Sequence, residues 1–163
     1  MLKNKLTNLV FRIAYIILYR LKLFYNLLFY PTVYGVYIAV WWNDKVLLVK
    51  NSYKSCYTLP CGGLKKHEDP VDGALRELSE EVNIELTPGD LISYGTLQSF
   101  VEHMIDNITF YEVYLTEKPK IQVDQREVIW SEFVTPGNAL KRKLFPVVKD
   151  YLQTHVNKEP HSS

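Results

Sequence analysis

Apolar and polar residues follow two rhythms along this chain. From Leu2 to Tyr30 the apolar positions recur every three to four residues, the spacing of an amphipathic helix. At about 100° per residue, Lys5, Asn8, Arg12, Tyr19, Lys22 and Asn26 fall in one narrow stripe. Leu6, Leu9, Val10, Ile13, Ile17, Leu21, Phe24 and Leu28 fall on the far side, a very wide apolar face. Pro31 ends the helix, because proline lacks an amide donor and disfavours helix in the residue before it.

Beyond Pro31 the rhythm changes. Residues 32–42 are β-branched and aromatic and predict a strand. Asn43-Asp44 predicts a turn, and residues 45–50 a second strand, so the pair forms a hairpin. A helix is expected over about residues 70–83. Asp69 suits its N-cap, Pro70 its first position, and Asn83 a left-handed C-terminal residue. Val71, Leu75, Leu78 and Val82 share its apolar face. Strands follow at 91–100, 107–116 and 127–134, with a polar connection around residues 102–106. A last amphipathic helix is expected from about Asn138 to His155. The pattern predicts a mixed α+β sandwich. Its parts are a leader at 1–30, a domain at 31–156 and a polar tail at 157–163.

Charge separates the leader from the domain. Residues 1–30 carry Lys3, Lys5, Arg12, Arg20 and Lys22 and no acid, whereas all 18 acids lie in the remainder. The whole chain is near neutral at +1, so a basic nucleic-acid binder is not expected. A secretory signal needs a small-residue cleavage site, and none follows. A transmembrane span of about 20 apolar residues is interrupted by Arg12 and Arg20. The charge-free stretch 23–43 contains Pro31 and Gly35 and turns strand-like in its second half. Two readings remain: a helix packed on its own domain or in a dimer seam, and a helix lying in a membrane interface. With only two cysteines and no cleavable signal, a cytoplasmic protein is expected, peripheral at the inner face of a membrane if the second reading holds.

The chemistry is concentrated between Gly62 and Ile84. With Glu77 at the origin of a helical wheel, Glu80 and Glu81 fall within an arc of about 100°. Three carboxylates crowd one face, and like charges at i,i+4 repel. Hard divalent cations offset such repulsion, and magnesium favours carboxylates together with substrate phosphates. The Gly62-Gly63 backbone permits close approach of such a ligand. The bland alternative is a solvated acidic helix face. The full spacing weighs against it. Six identities (Gly62, Glu68, Arg76, Glu77, Glu80 and Glu81) stand at fixed intervals, a coincidence of roughly one in ten million starting positions.

That spacing resembles the Nudix box, G-x5-E-x7-R-E-U-x-E-E-x-G-U, where U is bulky and apolar. Asn83 replaces its last glycine. Cys61 and His67 stand at flanking positions where the family often has glycine. The resemblance implies an α/β/α sandwich and hydrolysis of a diphosphate linkage in a nucleoside diphosphate derivative or other small nucleotide. It implies Mg²⁺, or Mn²⁺, held by Glu77, Glu80, Glu81 and the Gly62 carbonyl. Glu68 and Arg76 would form a structural ion pair. The general base stays open among Glu77, Glu102 and Glu127. A non-catalytic nucleotide-binding module on the same fold is the alternative. Substrate contacts stay open too: Trp42, Tyr53, Tyr57 and Phe100 are candidates to stack on a base, and His67 and His103 to touch phosphate.

Overall fold

The computed structural model describes residues 2–156. A long helix, α1 (Leu2–Phe29), precedes six strands: β1 (Thr32–Trp42), β2 (Lys45–Asn51), β3 (Cys61–Gly63), β4 (Ile92–Val101), β5 (Met104–Leu115) and β6 (Val128–Val134). Helix α2 (Pro70–Val82) lies between β3 and β4, and α3 (Pro136–Ala139) and α4 (Pro146–Val156) close the fold. The strands form one sheet in the order β4-β5-β1-β2-β6, with β3 also paired to β1. β1 and β5 run parallel and the other pairs antiparallel, so the sheet is mixed.

β1 is buried on both sides, and its alternation divides the core. Val36, Ile38 and Val40 pack with Ala74, Leu78 and Val82 of α2. Tyr37, Ala39 and Trp41 pack with Val148, Tyr151 and Leu152 of α4. Helices therefore cover both faces, giving an α/β/α sandwich. The β1–β2 turn is the expected Asn43-Asp44, with φ of 46° and 55°, the left-handed pair a tight hairpin requires.

Three expectations are corrected. The connection after β4 is only Glu102-His103, another left-handed pair at φ 52° and 56°, and Asp106 lies inside β5. The last helix is not continuous. Pro146 cannot extend a helix behind it, so it opens α4 instead. The intervening segment bonds to the loop after β2: Tyr57 N donates to Lys143 O at 2.8 Å and Phe145 N to Tyr57 O at 2.9 Å. The sheet also has one strand more than expected, because Cys61–Gly63 pairs with β1. The tail expected at 157–163 lies outside the described residues.

Helix α1 ends where expected, with Tyr30 in the left-handed region at φ 47°. No helix among the described residues is long and apolar enough to cross a membrane.

Candidate active site

Helix α2 is built by its own caps. Asp69 Oδ1 accepts from Val71 N at 2.8 Å, and Pro70 begins the helix. Asn83 closes it at φ 56°, ψ 42°, while its N–H reaches Ser79 O at 3.1 Å. Asparagine tolerates this left-handed position, so the departure from glycine leaves the helix end intact. His67 also sits left-handed, at φ 64°, in the turn where Glu68 N donates to Lys65 O.

The helix then carries its carboxylates to the β3 loop. Glu77 lies against Gly62 so closely that a Cβ there would collide with its carboxylate. Arg76 holds this corner together. Its Nε and Nη2 meet Glu68 Oε1 and Oε2 at 2.7 and 2.9 Å, and Nη2 also donates to Gly63 O at 3.1 Å. Its Nη1 reaches Glu77 Oε1 at 2.6 Å and Glu80 Oε2 at 3.2 Å. One planar guanidinium thus ties the loop to three acids. The Arg76 hydrogen bonds and the Lys65 amide hold the Glu68 carboxyl down at about 2.

The three helix glutamates differ in environment. The Glu80 side chain is 60% exposed and that of Glu77 only 12%. Glu81 is buried, with Oε2 accepting from Cys61 N at 3.0 Å and Oε1 from Asn51 Nδ2 at 3.4 Å. Burial, and then the charges of Glu77 and Glu127, push its carboxyl up to about 8. Burial also raises Glu77, against the pull of Arg76. Burial pushes the Cys61 thiol up to about 12, so it is not a reactive thiolate.

Gly62, Glu68, Glu77 and Glu80 line a cleft of about 800 Å³, with Glu102 and Glu127 also on its wall. Glu81 stands behind that wall. Glu127 Oε1 accepts from Tyr53 Oη at 2.8 Å, whereas Tyr19 Oη of α1 donates to Glu102. Of the aromatic and histidine candidates, only Tyr53 and His67 reach the cleft. Tyr57 packs on Trp130, Trp42 on Phe133, and Phe100 and His103 on Tyr30.

The cleft has further members that sequence reasoning missed. Lys22 of α1, Lys54, Lys65 and Lys66 bring positive charge to it. Asp106 contributes a buried carboxylate, raised by desolvation and partly restrained by Lys22 and Lys54. Its signal was present: Asp106 shares the inward register of Met104, Ile108 and Phe110 on β5.

Could this corner hold a divalent cation? Among the described residues, no three His, Cys, Asp or Glu side chains form a ready-made ligand cluster. The donor chemistry nevertheless fits. Glu77 and Glu81 are carboxylates whose burial and mutual charge a cation would relieve, and buried Asn51 Oδ1 beside them has no hydrogen-bond partner. All are hard oxygen donors, the kind that suits Mg²⁺ or Mn²⁺.

Comparison with known proteins agrees with this architecture. The family model described as NUDIX domain matches residues 31–154. No curated protein sequence matches the chain. Among solved structures, the MutT protein from Methanosarcina mazei Go1 superposes with a TM-score of 0.65 at 21% identity, over 79% of this chain and 97% of that one. A C. elegans Ap4A hydrolase binary complex gives 0.64 at 19% identity, over 77% and 96%. The NUDIX domain of Shewanella oneidensis NrtR, complexed with ADP ribose, gives 0.67 at 16% identity, over 79% and 89%. At such identities these likenesses speak to fold alone.

Proposed function

The chain belongs to the NUDIX domain family, and from that premise we propose that it hydrolyses a diphosphate linkage in a nucleoside diphosphate derivative or other small nucleotide. The observation that carries this reading is the Gly62–Glu77 contact, braced by Arg76 at the mouth of a cleft lined with lysines. In this reading Glu77, Glu80, Glu81 and the Gly62 carbonyl hold Mg²⁺ or Mn²⁺. When bound there, the ion would neutralise phosphate oxygens and lower the pKa of an attacking water.

The chain's own residues supply the rest. Lys22, Lys54, Lys65 and Lys66 attract the polyphosphate into the cleft and offset its charge. Arg76 and Glu68 keep the loop and helix in register, so that the carboxylates are placed before substrate arrives. Of the three base candidates, Glu77 is engaged by Arg76, whereas Glu102 and Glu127 alike accept from a tyrosine hydroxyl, so that bond does not separate them. Glu127 is held by Tyr53 on the cleft wall, and its charge is felt by both Glu77 and Glu81. That favours Glu127 as the proton acceptor. Tyr34 and Tyr53 both line this cleft, and Tyr34, 62% exposed, is the more open of the two to a base.

The test is phosphate and diphosphate release from a panel of nucleotides with Mg²⁺ or Mn²⁺, wild type beside Glu80→Gln. Turnover by wild type that collapses in the variant supports the reading. A folded wild type that binds nucleotide yet turns over none of the panel overturns it in favour of a binding module.

A further inference from the structure

Helix α1 is mounted with its polar stripe inward. Asn26 is buried, and its Nδ2 donates to Glu102 O at 3.2 Å and meets Met104 Sδ at 3.4 Å. Arg12 Nε donates to Gln125 O at 2.9 Å, and Arg126 Nε to Asn8 Oδ1 at 3.3 Å. Tyr15 stacks on Tyr53 with centroids 6.0 Å apart, and Tyr19 lies tilted against it at 5.1 Å. These contacts, from Asn8 to Asn26, span about five turns of helix and leave the opposite side uncovered. There Leu6, Val10, Ile17, Leu21, Phe24 and Leu28 are each 54–66% exposed.

This is the reverse of the usual arrangement, in which an amphipathic helix buries its apolar side against the core. A 28-residue helix is about 42 Å long and roughly 10 Å wide, so its outward side presents on the order of 400 Å² in projection. That is the scale of the largest apolar patch on a soluble monomer, which is often a functional surface. The polar contacts to the domain hold the helix with its apolar side outward.

We propose that the outward face of α1 docks the protein on an anionic lipid bilayer, lying at the boundary between headgroups and acyl chains. Charge selects this occupant. The first 30 residues carry five bases and no acid, and of these Arg12 bonds to the domain and Lys22 lines the cleft, while Lys5 and Arg20 stay exposed. A second copy seated on the same face would bring basic helix against basic helix, because a two-fold interface pairs a patch with itself. Anionic headgroups complement that charge, and exposed Lys5 and Arg20 are within the helix that would meet them. The C-terminal turns add exposed Phe24, Tyr25, Phe29 and Tyr30, aromatic residues of the kind enriched at the membrane–water interface. The strength of interfacial binding scales with buried apolar area and with electrostatic attraction to anionic lipid, and α1 offers both.

The test is flotation of the full chain with vesicles of mixed phosphatidylcholine and phosphatidylglycerol, and with phosphatidylcholine alone. Wild type should float with the anionic vesicles and less with the neutral ones, and high salt should weaken the difference. Ile17→Glu/Leu21→Glu should stay at the bottom while keeping the wild-type circular dichroism spectrum and melting temperature. Lys5→Glu/Arg20→Glu should lower partitioning to anionic vesicles by roughly fivefold or more per residue. Wild type that fails to float, or an Ile17→Glu/Leu21→Glu variant that floats equally well, overturns the proposal. So does wild type that sediments as a dimer without floating and is split to monomers by that variant, which would make the occupant a second copy.

Discussion

Gly62 and Glu77 share a space that only a glycine leaves open: a Cβ at position 62 would occupy the volume of the Glu77 carboxylate. Gly62→Ala should therefore displace Glu77 while leaving the sheet and α2 in place. The overpacking should cost about 1–3 kcal/mol of stability. Turnover should fall by about a hundredfold, the scale expected for a reacting group misplaced by an ångström. Thermal melting and steady-state hydrolysis check the two effects separately, and unchanged turnover would remove Glu77 from the site.

Glu80 and Glu81 allow chemistry to be separated from folding. Glu80 is largely exposed, so Glu80→Gln should leave the melting temperature unchanged and still lower kcat by about a hundredfold or more. Glu81 is buried and accepts from Cys61 N and Asn51 Nδ2. Glu81→Gln should lose activity as well, but with a measurable change in stability. Near-wild-type turnover by both variants would refute their assignment to the metal site.

The Glu68–Arg76 pair predicts a particular response to acid. Glu68 is held at about 2 in the folded protein, below its ordinary value of 4.5. A carboxyl lowered on folding stabilises the protein above the ordinary value, and that contribution disappears as pH falls through the folded one. The stability gap between wild type and Glu68→Gln should therefore be constant above pH 4.5 and close between 4.5 and 2. Denaturant unfolding across that range checks it; a gap that persists at the acid end would place its origin elsewhere.

Asn83 predicts the cost of a left-handed helix end. At φ 56° an alanine bears a steric penalty that glycine does not. Asn83→Ala should destabilise by about 1 kcal/mol, whereas Asn83→Gly should be neutral or mildly stabilising. Equal melting temperatures for the two variants would show that the cap is not under conformational selection.

Where a signal is local, it was legible in the residues. Caps and turns depend on neighbours within a few positions, so Asp69, Pro70, Asn83 and the Asn43-Asp44 turn could be read directly. The box spacing was legible for the same reason, since Glu68, Arg76 and the three helix glutamates span less than one helix and its preceding loop. Pro146 was an equally local stop signal, and an amphipathic pattern that continued through it hid the break between α3 and α4.

Sequence by itself determined the periodicities, the α2 helix with its carboxylates, and the family. Only tertiary structure decided what faces what. The parallel pairing of β1 with β5 joins residues more than 70 positions apart and brings Asp106 to the cleft. The same packing brings Lys22 from α1 and Lys54 from the loop after β2 to one wall. For α1, the pattern established two faces but not which one the domain would take. Partners distant in sequence, among them Gln125, Glu102 and Met104, hydrogen-bond its polar stripe and leave its apolar side outward. Periodicity is a property of neighbouring residues along the chain. Orientation is set by contacts across it.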